Sequence, residues 1–255
     1  MAVMTLLAIL LAGLSLTASA AVYVAARARG ETGTEPLSAL ATAAAFAHEW
    51  LALIALLLAL PLRLGRAADA RTAPKVALFI PELRCSSAGF WYLRGRLRAS
   101  GWVGIAGLDR TRSADLRDAA AALDARIATL APDSELVVVG HGVGGLLARD
   151  YAAARRLRHV ITLGTPHAGS AALPYRVLGG APAPTDAGPQ ANPLVDVIAL
   201  YSDFDAWLQP MDDAYCPGGF NIAVSGLGHC AMLLSPRVAD LIAENLPAPG
   251  SALRR

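Results

Sequence analysis

The sequence predicts an α/β fold: a mostly parallel sheet flanked by helices, preceded by two apolar helical segments. Three observations carry that expectation. From Val76 onward, short apolar runs rich in β-branched residues alternate with helical runs, the βαβ pattern of a parallel sheet covered on both faces. One such run, Leu136 to Val139, breaks at Gly140 and passes through Gly144-Gly145 into the helical stretch LLARDYAAARR, so strand, sharp turn and helix follow in close succession. The first quarter of the 255-residue chain is also apolar enough to bring the whole to 55% hydrophobic residues and a mean hydropathy of +0.45.

Residues 2–26 contain no charge, which is long enough for a bilayer-spanning helix. A second apolar run, residues 37–62, is interrupted by His48 and Glu49, and the polar link ARGETGTEP between the runs suits a helical hairpin. Ala18-Ser19-Ala20 resembles a signal-peptide cleavage site. Two features favour a membrane helix instead: no Lys or Arg precedes the run, and the run continues past that site. His48 and Glu49 would be costly at the bilayer centre, so an interfacial position, a helix-pair contact or a mutual hydrogen bond is expected. Arg63, Arg66, Arg71 and Lys75 follow the second run, against Arg27 and Arg29 in the link. By the positive-inside rule this places both termini and the following domain in the cytoplasm, as a multi-pass membrane protein.

The expected organisation is two spans within residues 1–64 (about 2–26 and 37–62), a linker at 65–75, a domain at 76–247 and a tail at 248–255. Within the domain, strands are expected at 76–80, 102–108, 136–139, 159–163 and 220–224. Helices are expected at 90–100, 113–130 and 236–245. Residues 194–201 read as a fifth strand or as a helix running into one. Residues 170–192 are rich in Pro, Gly and Ala, fitting either a lid over a pocket or an ordinary surface loop.

A net charge of +2 asks for no nucleic-acid partner. Cys85, Cys216 and Cys230 lack metal-type spacing. They read as small buried hydrophobes, with a Cys216–Cys230 bridge open if the domain faces an oxidising compartment. The glycine-rich turn lacks the Lys-Ser/Thr ending of a phosphate-binding loop. Neither a cofactor nor a metal is expected.

Gly140-His141-Gly142-Val143-Gly144 has the frame of a nucleophile elbow, G-x-S-x-G, with Gly142 where the serine would stand. ELVVVGHGVGGLLARDY resembles the VGHSMGG elbow of α/β-hydrolase lipases, and Thr162 to Gly169, TLGTPHAG, resembles the TLGTPH-x-G signature of the same proteins. Together with Glu49-Trp50-Leu51 and the apolar run to Pro61, the chain from about His48 to Leu246 resembles bacterial membrane-anchored, triacylglycerol-lipase-like α/β-hydrolases.

The resemblance implies an α/β-hydrolase fold, a relic catalytic triad and a place in the inner membrane of a bacterium. Tyr201 to Pro210, YSDFDAWLQP, is similar to the segment carrying the triad acid, which makes Asp205 the acid and Asp203 the close alternative. Ser225 to His229, SGLGH, is similar to the segment carrying the triad histidine, His229. The order elbow, acid, histidine agrees with that fold. After the first strand the family has His-Gly and then a residue whose N–H helps hold an oxyanion. Here that place reads Pro81-Glu82-Leu83. Glu82 is expected to pair with Arg84, turn to solvent, or bring negative charge toward the oxyanion. The Val143 N–H remains as the other donor, beside His141.

Two functions follow. In the first, the protein is a membrane-anchored hydrolase-fold protein without acyl-transfer chemistry, since Ser-His-Asp catalysis needs a nucleophilic oxygen. It would bind a lipid-like ligand or a protein partner. In the second, it is a carboxylic-ester or lipid hydrolase in which His229 activates a water in the space left at Gly142.

Overall fold

The computed structural model describes residues 38–62, 68–111, 116–155, 157–169, 195–208 and 211–247. The first apolar run, the segment 170–194 and the tail lie outside the described residues.

Among the described residues six parallel strands form the sheet: β1 (Lys75–Ile80), β2 (Val103–Ala106), β3 (Glu135–His141), β4 (His159–Leu163), β5 (Asp196–Ser202) and β6 (Phe220–Val224). Their order is β2-β1-β3-β4-β5-β6. The central strands are nearly continuous runs of Val, Ile, Leu and Phe because both faces are covered, and five of the six β1 residues are buried. The 194–201 stretch, open between strand and helix in sequence, is strand β5. Its register pairs Val160 with Val197 and Leu163 with Leu200, which buries its apolar residues between β4 and β6.

Helix α1 (Ala39–Ala59) precedes the sheet, and α2 (Trp91–Ala99), α3 (Leu116–Ile127), α4 (Val143–Arg155) and α5 (Pro236–Glu244) follow in chain order. One core, with Leu78, Leu123, Leu147 and Tyr151, lies under α3 and α4. The other, with Phe79, Leu93, Leu97, Val238 and Ile242, lies under α2 and α5. Ser235 caps α5 by accepting from the Val238 N–H at 3.3 Å, with Pro236 at the first position, where its missing N–H is no loss.

The chain leaves β1 toward β2 and then returns to the other side of β1 as β3. The carboxyl ends of β1 and β3 therefore flank the point where the strand order reverses, the usual ligand crevice of an open parallel sheet. Pro81-Glu82 follows β1 there, and His141-Gly142 closes β3.

Helix α1 is long and apolar enough, by length and composition, to cross a bilayer. It lies against the domain through Ala45, Glu49, Ala52 and Ala59, with Phe46 tilted on Phe204 at a 4.5 Å ring separation. Among the described residues Cys85, Cys216 and Cys230 are all free thiols, with Cys216 and Cys230 buried.

Candidate active site

The turn after β3 is tight. Gly142 has φ +54°, in the left-handed region that L side chains rarely adopt. Its N–H donates to the Leu163 carbonyl at 2.9 Å, and Gly145 N–H donates back to the Gly142 carbonyl at 3.0 Å. The turn thus delivers the start of α4, and the Val143 N–H with it, to the mouth of the crevice.

Glu82 fills that mouth. It is 1% exposed, so the expected turn to solvent does not describe its place. The reason is three donors. Its Oε1 accepts from the Leu83 N–H and from the Val143 N–H, the latter at 3.1 Å. Its Oε2 lies 3.2 Å from His229 Nε2. A Cβ built on Gly142 would stand 1.5 Å from Glu82 Oε2. The Glu82 carboxylate therefore occupies the place where a side chain at 142 would project. It also takes both N–H groups expected to hold an oxyanion.

Asp205, rather than Asp203, reaches His229. Asp205 Oδ2 is 2.8 Å from His229 Nδ1, and its Oδ1 accepts from the Trp207 N–H at 2.8 Å. Asp203 instead accepts from the Gly226 N–H at 3.2 Å, bracing the loop before the histidine. The Trp207 ring stacks on His229, 4.6 Å away and 5° from parallel. The His141 ring lies tilted against His229 at 4.3 Å, and its Nε2 meets the His229 carbonyl at 3.0 Å. The carbonyl can only accept, so that nitrogen carries the hydrogen.

Burial alone would push the pKa of His229 down. Asp205 and Glu82, one at each ring nitrogen, more than reverse this and raise it to about 10. His229 is thus an imidazolium clamped between two carboxylates at neutral pH. Burial and the neighbouring His229 charge hold His141 well below the ordinary histidine value, so it stays neutral. Burial, with Glu82 nearby, pushes the Cys85 thiol up to about 12, far from a reactive thiolate.

Two cavities bear on the site among the described residues. A cavity of about 20 Å³, bordered by Leu56, Glu82, Cys85 and His141, adjoins the carboxylate. A larger one of about 380 Å³, bordered by Leu62, Gly107, Arg110 and Arg126, contains none of the predicted site residues.

The crevice-end placement of these groups and the all-parallel, doubly wound sheet settle the architecture. This is an α/β-hydrolase fold. Solved structures agree with it at low identity. RedJ, with a polyethylene glycol molecule bound in its active site, is similar at 18% identity and a TM-score of 0.51, over 71% of this chain and 98% of that one. MGS-MChE2, an α/β-hydrolase enzyme from the metagenome of lagoon sediments at Mar Chica, Morocco, is similar at 12% identity and a TM-score of 0.50, over 67% and 89%. No protein-family profile matches the chain, and no curated protein sequence matches it.

The structure thus gathers Glu82, Leu83, His141, Gly142, Val143, Asp205 and His229 into one site. Sequence reasoning missed Glu49. From the middle of α1 it accepts from the Cys230 N–H at 3.0 Å and the Ala231 N–H at 2.8 Å, so it supports the backbone directly after His229. The only signal available in sequence was an acidic residue within an apolar run, together with Gly228, where a Cβ would meet the Glu49 carboxyl at 2.4 Å.

Proposed function

We propose that this protein is a hydrolase-fold pseudoenzyme, associated with a membrane through its apolar N-terminal quarter, whose crevice is closed by its own glutamate. The observation that carries the reading is the Glu82 carboxylate between the Leu83 and Val143 N–H groups, in contact with His229. Acyl transfer by this fold needs a nucleophilic oxygen at the elbow and a vacant pair of donors for the developing oxyanion. Gly142 supplies no oxygen, and Glu82 holds the donors.

Hydrolysis by a His229-activated water is the weaker reading. A general base needs an unprotonated nitrogen within reach of the water, and both nitrogens of His229 face carboxylates. The cavity of about 20 Å³ at the carboxylate holds about one water, and among the described residues this supports a protein partner over an acyl chain beside Glu82. The outer face of α1, where Leu40, Leu51 and Leu58 are 81%, 63% and 70% exposed, supports contact with lipid or with another apolar surface.

Native mass spectrometry of the full chain in detergent tests the binding side of the proposal. A co-purifying protein in fixed ratio, with no acyl compound inside the domain, is expected. A stoichiometric ester or fatty acid released on unfolding would return the site to the ligand-binding or hydrolytic readings.

A further inference from the structure

We infer that Glu82, His141 and His229 form a binding site for a divalent cation of the zinc type. One ligand atom from each of these three buried side chains lies within 4.8 Å of the others. Two imidazoles and a carboxylate make a donor set that zinc accepts in tetrahedral sites with a water as the remaining ligand.

The outer contacts are those that metal-ligating histidines use. A ligating imidazole almost always donates its other ring N–H to a carboxylate or a backbone carbonyl, which fixes tautomer and ring orientation. His229 Nδ1 is held by Asp205 at 2.8 Å, leaving Nε2 directed at Glu82. His141 Nε2 is held by the His229 carbonyl at 3.0 Å, leaving Nδ1 as the lone-pair nitrogen. Each ring is thus oriented from behind.

Distance and charge agree. Ligands at about 2.0–2.1 Å around a tetrahedral zinc stand about 3.4 Å apart, and His229 Nε2 and Glu82 Oε2 already stand 3.2 Å apart. The three ligand atoms lie within 4.8 Å of one another, so side-chain adjustments on the order of 1 Å bring them to that spacing. The buried ionisable groups that meet at His229 are two carboxylates, Glu82 and Asp205, against its one imidazolium charge. A divalent ion in place of the His229 Nε2 proton would offset Glu82 and Asp205 together. The adjoining cavity of about 20 Å³ has room for one coordinated water.

The loss of serine chemistry at Gly142 stands whether or not a cation binds, so the two proposals fail separately. The test is titration of Co²⁺ into the detergent-purified full chain after chelation, read by visible absorption, with Zn²⁺ as competitor. About one equivalent per chain is expected, without a thiolate charge-transfer band and displaced by zinc. Glu82→Gln should abolish the signal. Asp205→Asn, which removes only the outer support, should weaken binding by about 10- to 100-fold. His141→Gln provides a second loss variant should Glu82→Gln not fold, with circular dichroism reporting folding in each case. Absence of a cobalt spectrum in the parent protein, a thiolate band, or a spectrum unchanged in Glu82→Gln or in His141→Gln would overturn the assignment.

Discussion

Glu82 does two things at once: it satisfies two backbone donors and it neutralises His229. Gln at this position keeps the shape and loses the charge. Breaking a buried ion pair from one side is destabilising by about 3–5 kcal/mol, so thermal unfolding of Glu82→Gln in detergent should begin well below that of the parent. An unchanged midpoint would mean that the pair carries little energy. Gly142, Asp205 and His229 were legible in sequence because each sits in a short motif whose spacing local geometry preserves. The inward turn of Glu82 was not, since its partner His229 is 147 residues away. A glutamate in isolation is more stable in water than in a protein interior. The motif match favours Asp205 and keeps Asp203 as the close alternative, and what separates them is the backbone donor each accepts from, Trp207 N–H for Asp205 and Gly226 N–H for Asp203.

At the scale of elements, strand and helix positions followed from pattern, while contacts between elements did not. The second apolar run was expected to be a helix, and α1 is one. Its Glu49 was expected at a membrane interface, in a helix-pair contact or in a mutual hydrogen bond with His48, and it holds the Cys230 and Ala231 N–H groups. Glu49→Ala leaves two buried donors without their acceptor, at about 1–3 kcal/mol each. Hydrogen exchange of the Cys230 and Ala231 amides should quicken by at least tenfold, about 1.4 kcal/mol, while β3 amides stay protected. Equal exchange in parent and variant would show that the helix contributes nothing to the His229 loop.

The loop after β4 makes a second element-scale prediction. His167 Nδ1 accepts from Arg149 at 3.3 Å and its Nε2 donates to the Thr162 hydroxyl at 3.0 Å. Burial, and then Arg149, lower its pKa from 6.5 to about 3. The folded protein therefore keeps His167 neutral where the unfolded chain protonates it. The corresponding stability is complete above pH 6.5 and declines as pH falls toward about 3. Denaturation measured from pH 7 downward should show this loss, and His167→Gln should remove part of the slope. A slope identical in both proteins would exclude His167 as its source.

For the molecule as a whole, strand–helix alternation was enough to identify a parallel doubly wound sheet, but the strand order β2-β1-β3-β4-β5-β6 is a property of long-range pairing that no local pattern contains. That order brings Glu82 and Gly142 to one crevice, where the two departures from the lipase-like motifs meet. The filled crevice makes sense of Gly142, since any side chain there would collide with the carboxylate. It also means that restoring a nucleophile is not sufficient: Gly142→Ser alone should leave esterase activity at background, because the hydroxyl competes with Glu82 for the same space and meets donors already taken.

Turnover of a short-chain nitrophenyl ester by the parent, Gly142→Ser, and Gly142→Ser combined with Glu82→Gly tests this most directly. A vacant donor of this kind contributes roughly 100- to 1000-fold in rate. Only the combined variant should show activity above background, with a serine-directed phosphonate labelling it at position 142. A parent protein that already matches the combined variant would contradict the closed-crevice account.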